Sequence, residues 1–175
     1  MAQVFTVQDD VGSVANANAY GTEAEFIQYH EDRGNTYTAT TAQIEAAIVK
    51  GSDFLDLAFS FKGYKRTSTQ TTEFPRRDLY DKAGNLINGI PDVVKEAVFE
   101  YAYYLLSGTV TTLAAVPSRS STGTSVKAER TKAGPIESEI EYESGGVYST
   151  PVYPLADMKL KKAGLVQSGG NLIRG

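Results

Sequence analysis

The amino-acid sequence predicts a mainly α protein: a small helical bundle with a long inter-helix loop, a β-hairpin and an extended C-terminal tail. Three observations carry this prediction. Apolar residues recur at helical spacing in the segments 22–34, 41–58 and 90–106. Alternation replaces that spacing at 136–142, where Ile136, Ile140 and Tyr142 interleave with Glu137, Glu139 and Glu141 as on a half-exposed strand. Ser, Thr and Gly gather between Ser118 and Ser125, and glycines again between Gly164 and Gly175, where neither period holds.

The first helix begins at Thr22, which has capping-box spacing to Glu25, carries Phe26, Ile27 and His30 on one side and stops before Gly34. The second runs from about Thr41 to Ala58. Its stripe of Ile44, Ala47, Ile48, Gly51, Phe54 and Leu55 faces a core, and Lys50, Asp53 and Asp56 fall on the surface. The third spans Ile90 to Leu106, with Pro91 suited to its first turn and Gly108 to its end. At about 100° per residue, Val93, Val94, Ala97, Val98, Tyr101, Tyr104 and Leu105 share one broad stripe. Phe99, Tyr103 and Leu106 project from the opposite side. A small domain buries one helix face easily; a second calls for a neighbouring segment or a neighbouring copy of the chain.

Between the second and third helices lies a connection from Phe59 to Gly89, far longer than the usual ~2–8 residues between packed helices. Its Phe59, Phe61, Tyr64, Phe74 and Leu86 suggest partial packing, and Asp81 to Asn85 reads as a tight turn. After the Ser118–Ser125 hinge, Val126 to Tyr142 forms the hairpin, turning at Ala133-Gly134-Pro135. A short helix follows from about Leu155 to Ala163. Three regions result: a helical body (1–117), a hinge and hairpin (118–145), and a short helix with a C-terminal tail (146–175).

Composition narrows the function. The 175 residues are 41% hydrophobic and 22% charged, as in a globular chain with a real core. The absence of Cys excludes disulfides, thiolate metal sites and cysteine nucleophiles. No apolar run approaches the roughly 20 residues of a membrane span, and the start lacks the pattern of a secretory leader. With 17 Lys plus Arg against 21 Asp plus Glu, the net charge of −4 leaves no overall basic footprint for a polyanion.

Catalysis has no visible apparatus. His30 is the single histidine and sits on an apolar helix face, the place of a hydrogen-bonded core residue rather than a general base. Phosphate-loop, nucleophile-elbow and His-Glu-x-x-His motifs are absent from the sequence. Neither a cofactor nor a metal is expected. Glu137, Glu139, Glu141 and Glu143 recur about 7 Å apart along a strand, which diverges them from any common ion and makes them a solvated face, or an acidic surface that repels DNA phosphates. Basic residues cluster as Lys62, Lys65 and Arg66, as Arg76 and Arg77, and as Lys159, Lys161 and Lys162. The first two clusters neighbour Phe61, Tyr64 and Phe74, which suit either loop anchoring or base stacking; the third matches the C-terminal end of a helix dipole.

Several segments, in order, resemble the head-to-tail adaptor, or connector, proteins of tailed bacteriophages, some of which carry the label DnaT-like. They are Ala17-Asn18-Ala19-Tyr20, Arg33-Gly34, Ser52-Asp53-Phe54-Leu55-Asp56, Phe74-Pro75-Arg76, Ile90-Pro91 with Val94, Ala97 and Glu100, and Val126-Lys127 through Gly134-Pro135-Ile136 to Tyr142. Phe74 stands where that family often has Trp, and the polar, Gly-rich end is longer. The resemblance implies a helical body with a projecting hairpin. It further implies a cyclic ring of about twelve copies with a heterologous interface, for which Phe99, Tyr103 and Leu106 are the candidate contacts.

The same resemblance implies a portal-binding C-terminal segment, with Leu155, Met158, Leu165, Val166, Leu172 and Ile173 as its candidates, and Glu137, Glu139 and Glu141 as candidate channel-facing residues. The expected protein is a non-enzymatic virion component, assembled in the host cytoplasm and placed between head and tail. Its partners would be itself, the portal and tail or nozzle proteins, with genome DNA passing through without specific binding and no membrane. The alternative is a DnaT-like single-stranded-DNA-binding module that uses Lys62, Lys65, Arg66, Arg76 and Arg77.

Overall fold

A computed structural model describes residues 4–108, 113, 118–119, 126–132, 137–142, 148–149 and 153–167. Among the described residues, four helices and small antiparallel strand pairs make a mainly α fold. Two compact units are present: Met1–Leu113 with Tyr153–Gly175, and Ala114–Val152. The short fourth helix therefore belongs to the helical body, across the insertion of the second unit.

In the body, α1 (Glu23–Glu31) starts on the expected capping box, with the Glu25 N–H donating to Thr22 Oγ1 at 3.2 Å and the Thr22 N–H to Glu25 Oε2 at 2.7 Å. A second box, Thr40 with Gln43, opens α2 (Thr41–Ala58). α3 (Asp92–Leu106) follows Pro91, and α4 (Pro154–Ala163) closes on Gly164, whose φ of +75° is the left-handed C-cap that glycine adopts at least cost. Gly51 sets the approach of α2 to α3: a Cβ there would lie 2.9 Å from the Val98 carbonyl oxygen.

α3 is the central helix, and this accounts for its two apolar faces. α2 packs on one side, with Phe54 edge-on to Tyr101 at 4.9 Å. α4 packs on a second, where Tyr101 donates to Asp157 at 2.6 Å and Lys159 pairs with Glu96. α1 covers the third, where Lys95 meets Glu25 at 2.8 Å and Phe26 meets the Phe99 ring at 5.8 Å. A helix enclosed on three sides is apolar nearly all round.

The long loop folds back over the body instead of extending from it. Phe61, Phe74 and Leu79 are buried, and Tyr64–Lys65 (β1) pairs antiparallel with Arg76–Arg77 (β2). The turn expected at Asp81 to Asn85 is formed, closed by a Tyr80–Leu86 bridge. Residues 165–167 run alongside this loop: Lys62 donates its N–H to the Leu165 carbonyl and Gln167 its N–H to that of Ser60, both at 2.9 Å.

The second unit holds Ser118–Arg119 (β3) paired with Tyr148–Ser149 (β6), and the hairpin of Val126–Lys132 (β4) with Glu137–Tyr142 (β5). Ser118 and Arg119, expected to begin a hinge, are thus ladder residues; the rest of that hinge and the hairpin turn lie outside the described residues. Among the described residues, no helix is long and apolar enough to cross a membrane.

Candidate functional site

The expected interface residues on α3 are used within their own protomer. Phe99 is 3% exposed, packs against Phe26 and Tyr29, and leaves no room at Gly21, where a Cβ would fall 2.6 Å from its ring. Tyr103 stacks on His30 at 4.8 Å and donates to the Thr36 carbonyl at 3.3 Å, and Leu106 is half-buried against the core. α1 and the residues after it supply the neighbouring segment that this second face required, so Phe99 offers no surface to another copy.

His30 completes that face as a core residue. Its Nε2 shares a 3.1 Å hydrogen bond with the Phe99 carbonyl, and Nδ1 one of 2.9 Å with the Asn35 amide. A neutral ring donating from Nε2 and accepting at Nδ1 satisfies both partners. Burial pulls its pKa down to about 4, against a smaller upward pull from the Phe99 carbonyl.

The basic cluster divides into structural and free members. Arg76 is 7% exposed and donates to the carbonyls of Phe61, Lys62, Gly63 and Glu73 and to the Glu73 carboxylate, stitching the loop to itself. Lys65 pairs with Glu73 at 3.0 Å. Arg76 is thus buried in contacts of its own loop, whereas Lys65 stays partly exposed beside Glu73. Lys62, Arg66 and Arg77 are exposed, with the Arg77 guanidinium 5.8 Å from the ring centre of the exposed Tyr64. Phe74 is fully buried and cannot stack on a base. Replacing Arg76 with Gln is expected to lower stability by about 1–2 kcal/mol through several carbonyls left unpaired, measurable by urea unfolding.

A buried anchor joins the loop to the body at a place where the sequence suggested only surface. The Tyr20 hydroxyl donates to Asp56 at 2.6 Å and accepts the N–H groups of Glu73 at 2.8 Å and Phe74 at 3.1 Å. The second Asp56 oxygen accepts from the Glu73 N–H at 3.1 Å. Burial lifts Asp56 to about 7, with Glu73 adding to the rise and Tyr20, the Glu73 N–H and Lys65 opposing it. Tyr20 is raised well above its ordinary value, first by burial and then by Asp56. Helical spacing had set Asp56 off the apolar stripe of α2, and the folded-back loop covers that side.

At the C-terminal end, Leu155 and Met158 are 48% and 65% exposed on α4. Leu165 is fully buried and Val166 bridges Phe61, so these two belong to the body rather than to a free tail. Leu172 and Ile173 lie outside the described residues. Backbone register sets Glu137 opposite Lys132, Glu139 opposite Arg130 and Glu141 opposite Ala128. The strand pair therefore carries both signs in register.

Among the described residues no group of three or more His, Asp or Glu is placed to hold a metal ion. Residues 4–174 match the family described as "Putative DnaT-like ssDNA binding protein". The chain belongs to this DnaT-like family. No curated protein and no solved structure matches it. Of the features described for this DnaT-like chain, the Tyr64–Arg77 pair with Lys62 and Arg66 is what a single strand could touch, and the α4 stripe is what a protein could cover. Sequence reasoning missed the Tyr20–Asp56 anchor; its available signal was Asp56 facing a loop too long and too aromatic to stay in solvent.

Proposed function

We propose that this DnaT-like protein is a structural virion component: an adaptor that forms a ring, joins the portal of a phage head to the tail, and leaves a channel for DNA. The ordered run of segments from Ala17 to Tyr142 supports this reading. The structural observation that carries it is the pair Leu155 and Met158, large apolar side chains one helical turn apart and exposed on a helix whose other side is packed. Apolar groups so placed are suited to another polypeptide. Portal docking is assigned to the C-terminal segment, Leu172 and Ile173 included, and the protein acts by packing and shape rather than by chemistry.

A second reading, binding of single-stranded DNA, is favoured by the family's description and by Tyr64 with Arg77, Lys62 and Arg66. Electron microscopy of the purified protein, with and without its portal, separates the two. Closed rings, or rings formed on the portal, are expected. A protein that is monomeric under both conditions, yet binds oligonucleotide with a salt-dependent affinity lost on charge reversal of Lys62, Arg66 and Arg77, overturns the adaptor reading.

A further inference from the structure

The side of α2 turned away from α3 bears a groove of about 270 Å³ against the N-terminal arm, below the ~300–1,000 Å³ of small-molecule sites. Phe5, Ala46 and Val49 give it an apolar floor, and Glu45, Lys50 and Asp53 surround that floor. Neither carboxylate makes an ion pair among the described residues, although Lys50 is near. Desolvation at the groove raises the Asp53 pKa.

α4 packs on another side of α3, and at its start Tyr153 meets Phe54 of α2 edge-on at 5.2 Å. Its outward stripe is the complement of the groove: Leu155 and Met158, then exposed Lys161 and Lys162, which make no ion pair among the described residues. Lys159, the remaining lysine of this helix, is held by Glu96. Seven residues separate Leu155 from Lys162, and seven separate Ala46 from Asp53; each interval is about 10 Å of helix.

We propose that the α4 stripe of one copy docks in the α2 groove of the next, with Leu155 and Met158 over Phe5, Ala46 and Val49, and Lys161 or Lys162 at Asp53. The occupant is a second copy because the apolar pair and the lysines of the stripe fall at the spacing of the apolar floor and Asp53, and the two carboxylates of the groove outnumber its one cation, Lys50. Two carboxylates disfavour a nucleic acid. Because the faces are different patches of one protomer, the contact is heterologous and repeats from copy to copy until it closes. This inference rests on the ring reading and moves the subunit contact from α3 to the outer faces of α2 and α4.

The test uses Met158→Glu, which spoils the stripe, and Asp53→Lys, which spoils the groove. Both positions are exposed, and circular dichroism verifies folding. Sedimentation velocity over a concentration series is expected to show wild-type oligomers, with self-association weakened about tenfold or more in each variant. An equimolar mixture retains one intact stripe and one intact groove, so it should give 1:1 dimers and nothing larger. Wild-type protein that stays monomeric to its solubility limit overturns the contact, as do variants that assemble like wild type or a mixture that remains monomeric. Ring formation on the portal by Asp53→Lys, which leaves the C-terminal segment intact, decides separately, since rings that persist there sink this contact and leave the adaptor reading standing.

Discussion

Phe99→Ala is expected to lower the stability of the protein by about 3–5 kcal/mol and to leave the oligomeric state of the folded protein unchanged. The ring of Phe99 is 3% exposed and lies among Gly21, Phe26 and Tyr29, on the side of α3 that α1 covers. Removing it opens a cavity between two helices whose backbones cannot simply close up, because the Phe26, Tyr29 and His30 rings pack there edge to face. Urea unfolding should show the midpoint fall without a change in slope. If α1 were only loosely docked the loss would be under about 1 kcal/mol, and a selective loss of assembly with stability intact would return Phe99 to the surface.

The second large effect is a pH slope that two buried groups hide from each other. Asp56 has a folded pKa lifted to about 7, mainly by burial, so the native state keeps its proton where the unfolded chain has released it. Its contribution favours folding at low pH and is lost as pH rises toward 7, at about 1.4 kcal/mol per pH unit. His30, lowered to about 4, acts in the other direction: the unfolded chain takes up a proton that the native ring refuses, so its contribution is full above about pH 6.5 and lost as pH falls toward 4. Between pH 5 and 6.5 the two slopes oppose each other, and the wild type should be nearly level. Asp56→Asn should expose the histidine slope, with stability rising by about 2 kcal/mol from pH 5 to 6.5. A His30→Gln variant should slope downward over pH 5–7. Chemical denaturation across this range measures both, and parallel curves for wild type and Asp56→Asn would rule out a buried acid at the loop anchor.

Local signals were legible where the physics is local. The Thr22–Glu25 box, the 41–58 stripe and the Asp81–Asn85 turn each depend on residues within a few positions, and each forms where spacing places it. Reading failed where a side chain's environment comes from distant chain. The doubled apolar face of α3 was clear, but the identity of its cover was not, since Phe26 and Tyr29 approach Phe99 from some 70 residues away. Arg76 reads as solvated charge, yet its guanidinium sits among carbonyls that only the folded loop assembles. The β1–β2 pairing was similarly invisible, because two-residue strands carry no period. In the candidate surfaces, Leu155 and Met158 kept the exposure expected of them, whereas Leu165 and Val166 were drawn into the body by backbone pairing with residues 60–62.

The placement of α4 beyond the β unit affects synthesis. Once α3 has left the ribosome, roughly 60 further residues must be translated before the helix that covers Tyr101 and Tyr104 is available, a delay on the order of 3–12 s at typical elongation rates. During that interval the nascent body presents an uncovered aromatic flank, open to chaperone capture or to premature pairing with a finished sister chain.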